Sequence, residues 1–281
     1  MILIADSGST KTNWIAIDTN GNELFKANTK GLNPAVFSEQ ILTNRIKDCK
    51  TLISSQNEVD VIHFYGAGCG TKTPKVILHN VLINIFPNAK IHIKEDTLAA
   101  VNSVTTEPAI VCILGTGSNC SFFDGKKTHQ KIASLGYSVM DDASGNYFGR
   151  ILLRDYFFHK MPTEFATNFA KNYNLDADDI KKHLYKKENP NTYLANFSHF
   201  LVQNKNSKYA QNVILTGIRL FIKNQILQFK NCTDLPIHFI GSLAFFLQDE
   251  IKILFKEYNL KLGKIERHPI NGLVNYHFKR K

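Results

Sequence analysis

The sequence is short of the features that would place it in an oxidising compartment or in a membrane. Its five cysteines (Cys49, Cys69, Cys112, Cys120 and Cys232) are odd in number, scattered and without close-paired spacing. That pattern argues against both a disulfide framework and a zinc site. No uninterrupted apolar run approaches the ~18 residues a membrane span needs. The apolar start at Ile2 is too short for a secretory signal and lacks its basic leader. A cytoplasmic protein with no membrane partner is the expectation. A basic block interleaved with aromatic residues is also missing. The formal charge is +10, but Lys181, Lys182, Lys186, Lys187, Lys205, Lys208 and the tail Lys279-Arg280-Lys281 spread along polar faces of predicted helices. Such a distribution reads as solvated surface, so no nucleic-acid partner is expected. The excess is still available to steer anionic ligands such as ATP.

At 281 residues, with 43% hydrophobic content, the chain has room for two domains of ordinary size. Its organising stretch comes first. An apolar strand (Ile2, Leu3, Ile4, Ala5) ends in Asp6-Ser7-Gly8-Ser9-Thr10-Lys11-Thr12, and a second strand runs from Asn13 to Ile17. Small residues and glycine between two strands let the backbone approach an anion, and several N–H groups of one turn can converge on a phosphate. An aspartate at the mouth of that turn suits magnesium, which prefers hard oxygen ligands. The same residues also make ordinary hairpins. Repetition favours the phosphate reading. Ala109 to Leu114 is another apolar strand, followed by Gly115-Thr116-Gly117-Ser118-Asn119, a strand from Cys120 to Phe123, and the turn pair Asp124-Gly125. The first copy has its own turn pair at Asn20-Gly21. Further along, His63-Phe64-Tyr65-Gly66 and His238-Phe239-Ile240-Gly241 each close an apolar run and lead into a small-residue turn and a helix. A long internal repeat implies two similar domains, each with a glycine-rich hairpin, and a nucleotide between them.

The first half continues with a strand from Glu23 to Asn28. A surface loop, Gly31-Leu32-Asn33-Pro34, follows. Ser38 is expected to cap a helix with Ile41, Leu42 and Ile46 on its apolar face. Val59 to Tyr65 reads as a strand, Lys75 to Ile85 as a helix and Lys90 to Ile93 as a strand, an order that suggests a mixed sheet covered by helices. Asp96 then sits at a strand end and a helix start. Open α/β sheets present their ligands at that edge, where a carboxylate could take the proton of an attacking hydroxyl; a plain helix cap explains the same residue. In the second half, Met140-Asp141-Asp142-Ala143-Ser144-Gly145 precedes a long apolar helix and is either a sugar-binding loop or its cap. Met161 to about Lys230 reads as mostly helical, with no chemistry. Gly241-Ser242-Leu243-Ala244 opens a helix whose first turn can lie under a flat base or ribose. Pro269 to Leu273 is expected as a last turn before a short C-terminal helix.

Three ordered motifs, Asp6 to Thr12, Leu114 to Asn119 and Phe239 to Ala244, resemble the BadF/BadG/BcrA/BcrD-type ATPases over nearly the whole chain. The resemblance is to their N-acetylglucosamine kinase-like branch, within the superfamily of actin, Hsp70 and sugar kinases. It implies an α/β fold of two ribonuclease H-like domains, residues 1–106 and 107–281, with a nucleotide cleft between them. The second domain would carry a helical insertion, and the last helix is a candidate to pack back on the first. It further implies Mg-ATP as co-substrate and a small-molecule sugar as partner, with a homodimer left open. Asp6 would help hold magnesium through water. Gly8, Ser9, Thr10, Lys11 and Thr12, with Gly115, Thr116, Gly117, Ser118 and Asn119, would bind the phosphates. Gly241, Ser242 and Ala244 would bind adenosine, Asp96 would be the catalytic base, and Asn33, Gly66, Ala67, Gly68 and Asp141 would hold the sugar. One departure stands out. Where relatives read Gly-Asp-Glu-Gly-Ser-Gly, two glycines become Met140 and Ala143 and the glutamate becomes Asp142, which puts substrate choice and turnover in question. The resulting expectation is an amino-sugar kinase acting on the 6-hydroxyl of N-acetylglucosamine. Its rivals are a non-catalytic sugar sensor and an iron–sulfur activator of a radical dehydratase.

Overall fold

The computed structural model describes residues 1–8 and 10–278. The chain divides into two compact units, Met1–Thr106 together with the segment from His268, and Glu107–Arg267. The first unit begins with β1 (Ile2–Ser7), β2 (Lys11–Ile17) and β3 (Glu23–Lys30), then α1 (Glu39–Lys47) and α2 (Lys50–Ser54). It continues with β4 (Val61–Gly66), α3 (Lys72–Ile85), β5 (Lys90–Glu95) and α4 (Asp96–Val104). Its sheet runs in the order β3-β2-β1-β4-β5. β1 pairs antiparallel with β2 and parallel with β4. A strand covered on both faces reads as a continuous apolar run, which is what Ile2 to Ala5 supplies. The β2–β3 turn is closed by the Asp18 carboxylate, which accepts the N–H groups of Asn20 (2.8 Å) and Asn22 (2.9 Å), while Gly21 takes φ 85°.

The second unit holds β6 (Ala109–Leu114), β7 (Ser118–Phe123) and β8 (Thr128–His129), then five helices. These are α5 (Gly145–Phe157), α6 (Thr163–Asn172), α7 (Ala177–Tyr185), α8 (Pro190–Gln203) and α9 (Lys208–Asn224). β9 (Pro236–Ile240), α10 (Ser242–Phe246), α11 (Gln248–Glu257) and β10 (Lys261–Glu266) complete it. The strand order is β8-β7-β6-β9-β10, the first sheet's order with every strand replaced by its counterpart. The two histidine-led runs of the sequence repeat fall on the equivalent strands β4 and β9. The helices between β8 and β9 pack on one another through an aromatic cluster in which Phe169 lies 5.3 Å from Phe200 and 5.8 Å from Phe197. Side chains of Ser144, Asp176 and Ser207 accept N–H groups at the starts of α5, α7 and α9. Among the described residues no helix is long and apolar enough to cross a membrane.

Four local expectations need correction. The Gly31–Pro34 loop is not a surface loop: Leu32 is fully buried in the core of the first sheet. Its N–H reaches Ser7 Oγ (3.0 Å) and the Arg45 guanidinium donates to Gly31 O, so the loop is tied down on both sides. Ser38 occupies the cap position of α1 without a side-chain cap bond. On that helix Leu42 and Ile46 are buried, but Ile41 is exposed, because the helix presents a narrower apolar stripe than the three positions imply. Pro269 to Leu273 is not a turn. It is the first half of α12 (Pro269–Phe278), since proline is pre-organised for a first helical turn and needs no N–H there. Within the first unit, α12 lies against α4, β1 and β2.

Candidate functional site

In the first unit the strand pattern decides where the acids go. Ile2 and Ile4 face a small core that includes Tyr65, Ala99, Ile270 and Leu273, and Leu3 and Ala5 face the opposite one. Side chains alternate along a strand, so Asp6 extends the Ile2–Ile4 row. It points to the side that α4 covers. Register places Ser7 opposite Gly66 and Gly66 opposite Glu95. The carboxyl ends of β1, β4 and β5 therefore align, and Asp96 begins α4 beside Asp6. Burial, and then the charge of Asp96, push the Asp6 carboxyl up to about 7, with a hydrogen bond from Asn13 opposing. The Asp96 carboxyl is raised as well, chiefly by burial. The Thr97 N–H, 2.9 Å from Asp96 Oδ1, works against that rise, while the nearby Glu95 charge adds to it. Two half-buried carboxylates thus share one corner at the strand ends.

The hairpin beside them is self-supporting. Gly8 N–H donates to Lys11 O (2.9 Å) and Gly31 N–H to Thr10 O (2.9 Å). Thr12 is fully buried, and its hydroxyl meets Ser7 Oγ at 2.7 Å and Lys30 O at 3.3 Å. Gly8, Thr10 and Lys11 are exposed, and Ser9 lies outside the described residues. The expected sugar-binding residues of this unit come together. Gly68, after Gly66 and Ala67, takes φ 77°, and a Cβ there would fall 2.0 Å from Asn33 Oδ1. That oxygen accepts Ala35 N–H at 2.9 Å. Cys69 completes the corner as an inert thiol, pushed up to about 12 by burial and by Asp96.

In the second unit the Gly115–Gly117 hairpin is fastened to the start of α5. Gly145 N–H donates to Gly115 O (2.8 Å) and Asn146 N–H to Thr116 O (3.0 Å). The Asn146 amide also donates to Thr116 O (2.7 Å) and to Asp141 Oδ2 (2.9 Å). Asp141 is buried and lies so close to the hairpin that a Cβ on Gly117 would be 2.9 Å from its Oδ2. At one of the two replaced glycines the backbone stays glycine-like, with Ala143 at φ 59°, and Asp141 beside it takes φ 68°. Asp142 leaves this cluster and accepts from Asn224 Nδ2 at 2.8 Å. Ser118 and Asn119 continue into β7, where Asn119 Oδ1 accepts from Gln130 (2.9 Å). Gly241, at φ 120°, packs against the end of β6, where its Cβ would meet Leu114 O at 2.3 Å. Ser242 next to it is exposed, while Ala244 is in the core.

Asn146 was not legible as a site residue. It is almost fully buried, and its Oδ1 has no partner among the described residues; no residue pattern distinguishes it from any polar residue in a first helical turn. The cysteines flanking the hairpin, Cys112 and Cys120, face each other across β6 and β7 with sulfurs 3.5 Å apart. Both are buried in the core of their own sheet, so neither offers a surface thiolate to a cluster shared between subunits.

No protein-family model matches the chain, and neither does any curated protein. Solved structures do. A protein of Porphyromonas gingivalis described as a candidate N-acetylglucosamine kinase is 32% identical, with a TM-score of 0.93 over 99% of each chain. A second candidate N-acetylglucosamine kinase, from Chromobacterium violaceum, is 15% identical, with a TM-score of 0.71 over 98% of each chain. A ROK family glucokinase from Streptomyces griseus, in complex with glucose and AMPPNP, is 14% identical and has a TM-score of 0.57, covering 98% of this chain and 97% of its own. The last two establish the fold alone.

Proposed function

This chain belongs to the family of actin-like sugar kinases that includes the Porphyromonas gingivalis protein, and from that premise we propose that it transfers the γ-phosphate of ATP to an amino sugar. The substrate is N-acetylglucosamine and the acceptor its 6-hydroxyl. The three motifs keep the BadF/BadG/BcrA/BcrD-type affiliation as part of this proposal. The observation that carries it is the pair of half-buried carboxylates with raised pKa, Asp6 and Asp96, at the aligned strand ends of the first unit.

Each carboxyl has the environment its role needs. Asp96 has a raised pKa, and with it the basicity to take a proton from a hydroxyl. Its Oδ1 is occupied by the Thr97 N–H, so Oδ2 receives the proton. Asp6 presents hard oxygen in the same corner, and among the described residues no group of three or more metal-ligating side chains stands there. A donor set this small fits magnesium, which keeps most of its waters and takes phosphate oxygens for the rest. When bound, the ion neutralises charge on the phosphates. Asn33, whose Oδ1 is spent on Ala35 N–H, offers its amide N–H groups to the sugar, and the acetamido carbonyl is a matching acceptor. Gly66, Ala67, Gly68 and Asp141 complete the sugar contacts. The exposed part of the first hairpin and the Gly115–Gly117 backbone bind phosphate oxygens. Gly241, Ser242 and Ala244 support the adenosine.

The test is ADP release from Mg-ATP across a panel of amino sugars and plain hexoses. Turnover dependent on N-acetylglucosamine, with phosphate at its 6-position by NMR, is the expected result. Sugar binding without ADP release would replace the kinase by a sensor. Asp96→Asn should lose roughly 10²- to 10⁴-fold in turnover with ATP affinity nearly unchanged; near-wild-type turnover would remove Asp96 from its role.

A further inference from the structure

On the second unit, α5, α7 and α8 wall a groove of ≈ 480 Å³ that none of the residues above explains. Its floor is Leu153, Ile180 and Leu194, all buried. Its rim is Phe157, Phe158 and Tyr185, which are 44%, 58% and 81% exposed. Three exposed aromatic rings around one hollow exceed the scattered apolar exposure of an ordinary surface. The hollow also carries charge of one sign. Arg150 and Arg154, one turn apart on α5, both line it, and no acidic side chain does. Arg154 is exposed, lies 5.6 Å from the Phe158 ring, and has no carboxylate partner among the described residues.

We infer that this groove is a binding site for a small amphipathic anion, an aromatic or alicyclic body bearing one carboxylate, sulfonate or phosphate. The volume falls in the range of small-molecule sites, which are mostly apolar with a few placed polar groups. The body lies on the apolar floor between the aromatic rings. The acid pairs with Arg154, whose planar fork matches two oxygens at once. Occupancy has a route to the Asp141 loop. The Arg150 guanidinium donates to Tyr137 O and, at 3.3 Å, to Ser138 O, tethering the segment that leads to Asp141. An anion that competes for Arg150 loosens this tether. Its consequence for sugar binding rests on the role proposed above for Asp141; the binding itself does not.

The experiment uses 8-anilinonaphthalene-1-sulfonate and its uncharged counterpart N-phenyl-1-naphthylamine as fluorescent probes, with neither sugar nor nucleotide present. The sulfonate should bind at one saturable site, more tightly than the uncharged probe. Arg154→Gln should weaken the sulfonate about tenfold, the worth of one charged hydrogen bond, and leave the uncharged probe unaffected. Leu184→Glu, in the groove wall, should weaken both. Because Arg154 is exposed, the melting temperature of Arg154→Gln should stay within about 2 °C of wild type. Equal affinity for the two probes, unsaturable binding, or no effect of Arg154→Gln would overturn the site. Loss of sulfonate binding as the protein dimerises would overturn it in favour of a second copy covering the groove. Hydrogen exchange at Val139 and Met140, whose N–H groups bond to Gly136 O, should quicken with the sulfonate bound. Unchanged exchange would overturn the link to the loop.

Discussion

Gly115 and Gly117 share one hairpin but differ in what a methyl group would meet. On Gly117 it would press on Asp141 Oδ2 at 2.9 Å, whereas on Gly115 it would meet nothing within 4 Å. Packing inside the protein accounts for the second glycine and not for the first. The open space at Gly115 is what the phosphate role proposed for it requires, since glycine lets a ligand come close to the backbone. Gly115→Ala should therefore leave the urea midpoint within the small range of a compatible Gly-to-Ala change, about 0.4–1 kcal/mol, and lower ATP affinity severalfold or more by calorimetry. Gly117→Ala should destabilise the fold, because Asp141 and its bond to Asn146 must shift. Unaltered ATP affinity in Gly115→Ala would mean that no phosphate comes near this glycine. The pair also marks what a sequence can and does not reveal. Both glycines were visible as a motif, but the motif does not say which one answers to a neighbour and which to a ligand. Asn146 was invisible because its importance lies in contacts to Thr116 and Asp141 that only the folded α5 start creates.

Helix α12 brings His277 onto the first sheet, where His63 stacks between His277 at 3.7 Å and His92 at 5.1 Å. Burial, and then the positive charges of His92 and Lys94, hold His63 down at about 4. An unfolded histidine titrates near 6.5, so below that pH the unfolded chain binds more protons than the folded one. Stability is unaffected above about pH 6.5 and is lost as the pH falls toward 4, by at most on the order of 3 kcal/mol. Trp14, the single tryptophan, lies in the core of this unit 5.9 Å from Phe64, so its fluorescence reports the unit directly. Urea midpoints followed by that signal should fall between pH 7 and 4.5, and His63→Asn should flatten the fall. An equal slope in the variant would place the acid sensitivity elsewhere. Elements in either unit were legible to the extent that they carried long apolar runs or glycine turns. β1, β4, α3 and the hairpin did. α2 (Lys50–Ser54) is one short turn whose single buried residue is Leu52. β10 (Lys261–Glu266) alternates lysine with Leu262 and Ile265 and has no fully buried position. Neither contains enough of a period to announce itself. Leu32 was misplaced because glycine and proline in its loop signal a turn equally well at the surface and in the core.

The whole molecule repeats one sheet order twice, yet the halves share only short motifs. Sheet order requires apolar strands and small turns, which many sequences supply; the five helices added between β8 and β9 obscure the rest. What belongs to the whole chain and to neither half is the charge of +10. Carried by many separate basic residues, it raises the local concentration of anions. Mg-ATP is an anion and N-acetylglucosamine is neutral, so ionic strength should separate the two substrates of the proposed reaction. Raising salt from about 20 to 300 mM shrinks the Debye length to several ångströms. The KM for ATP should rise severalfold, while kcat and the KM for the sugar stay level. The neutral sugar is the internal control. If both KM values rise together, salt acts on the fold; if neither rises, the lysine excess does no steering and serves solvation alone.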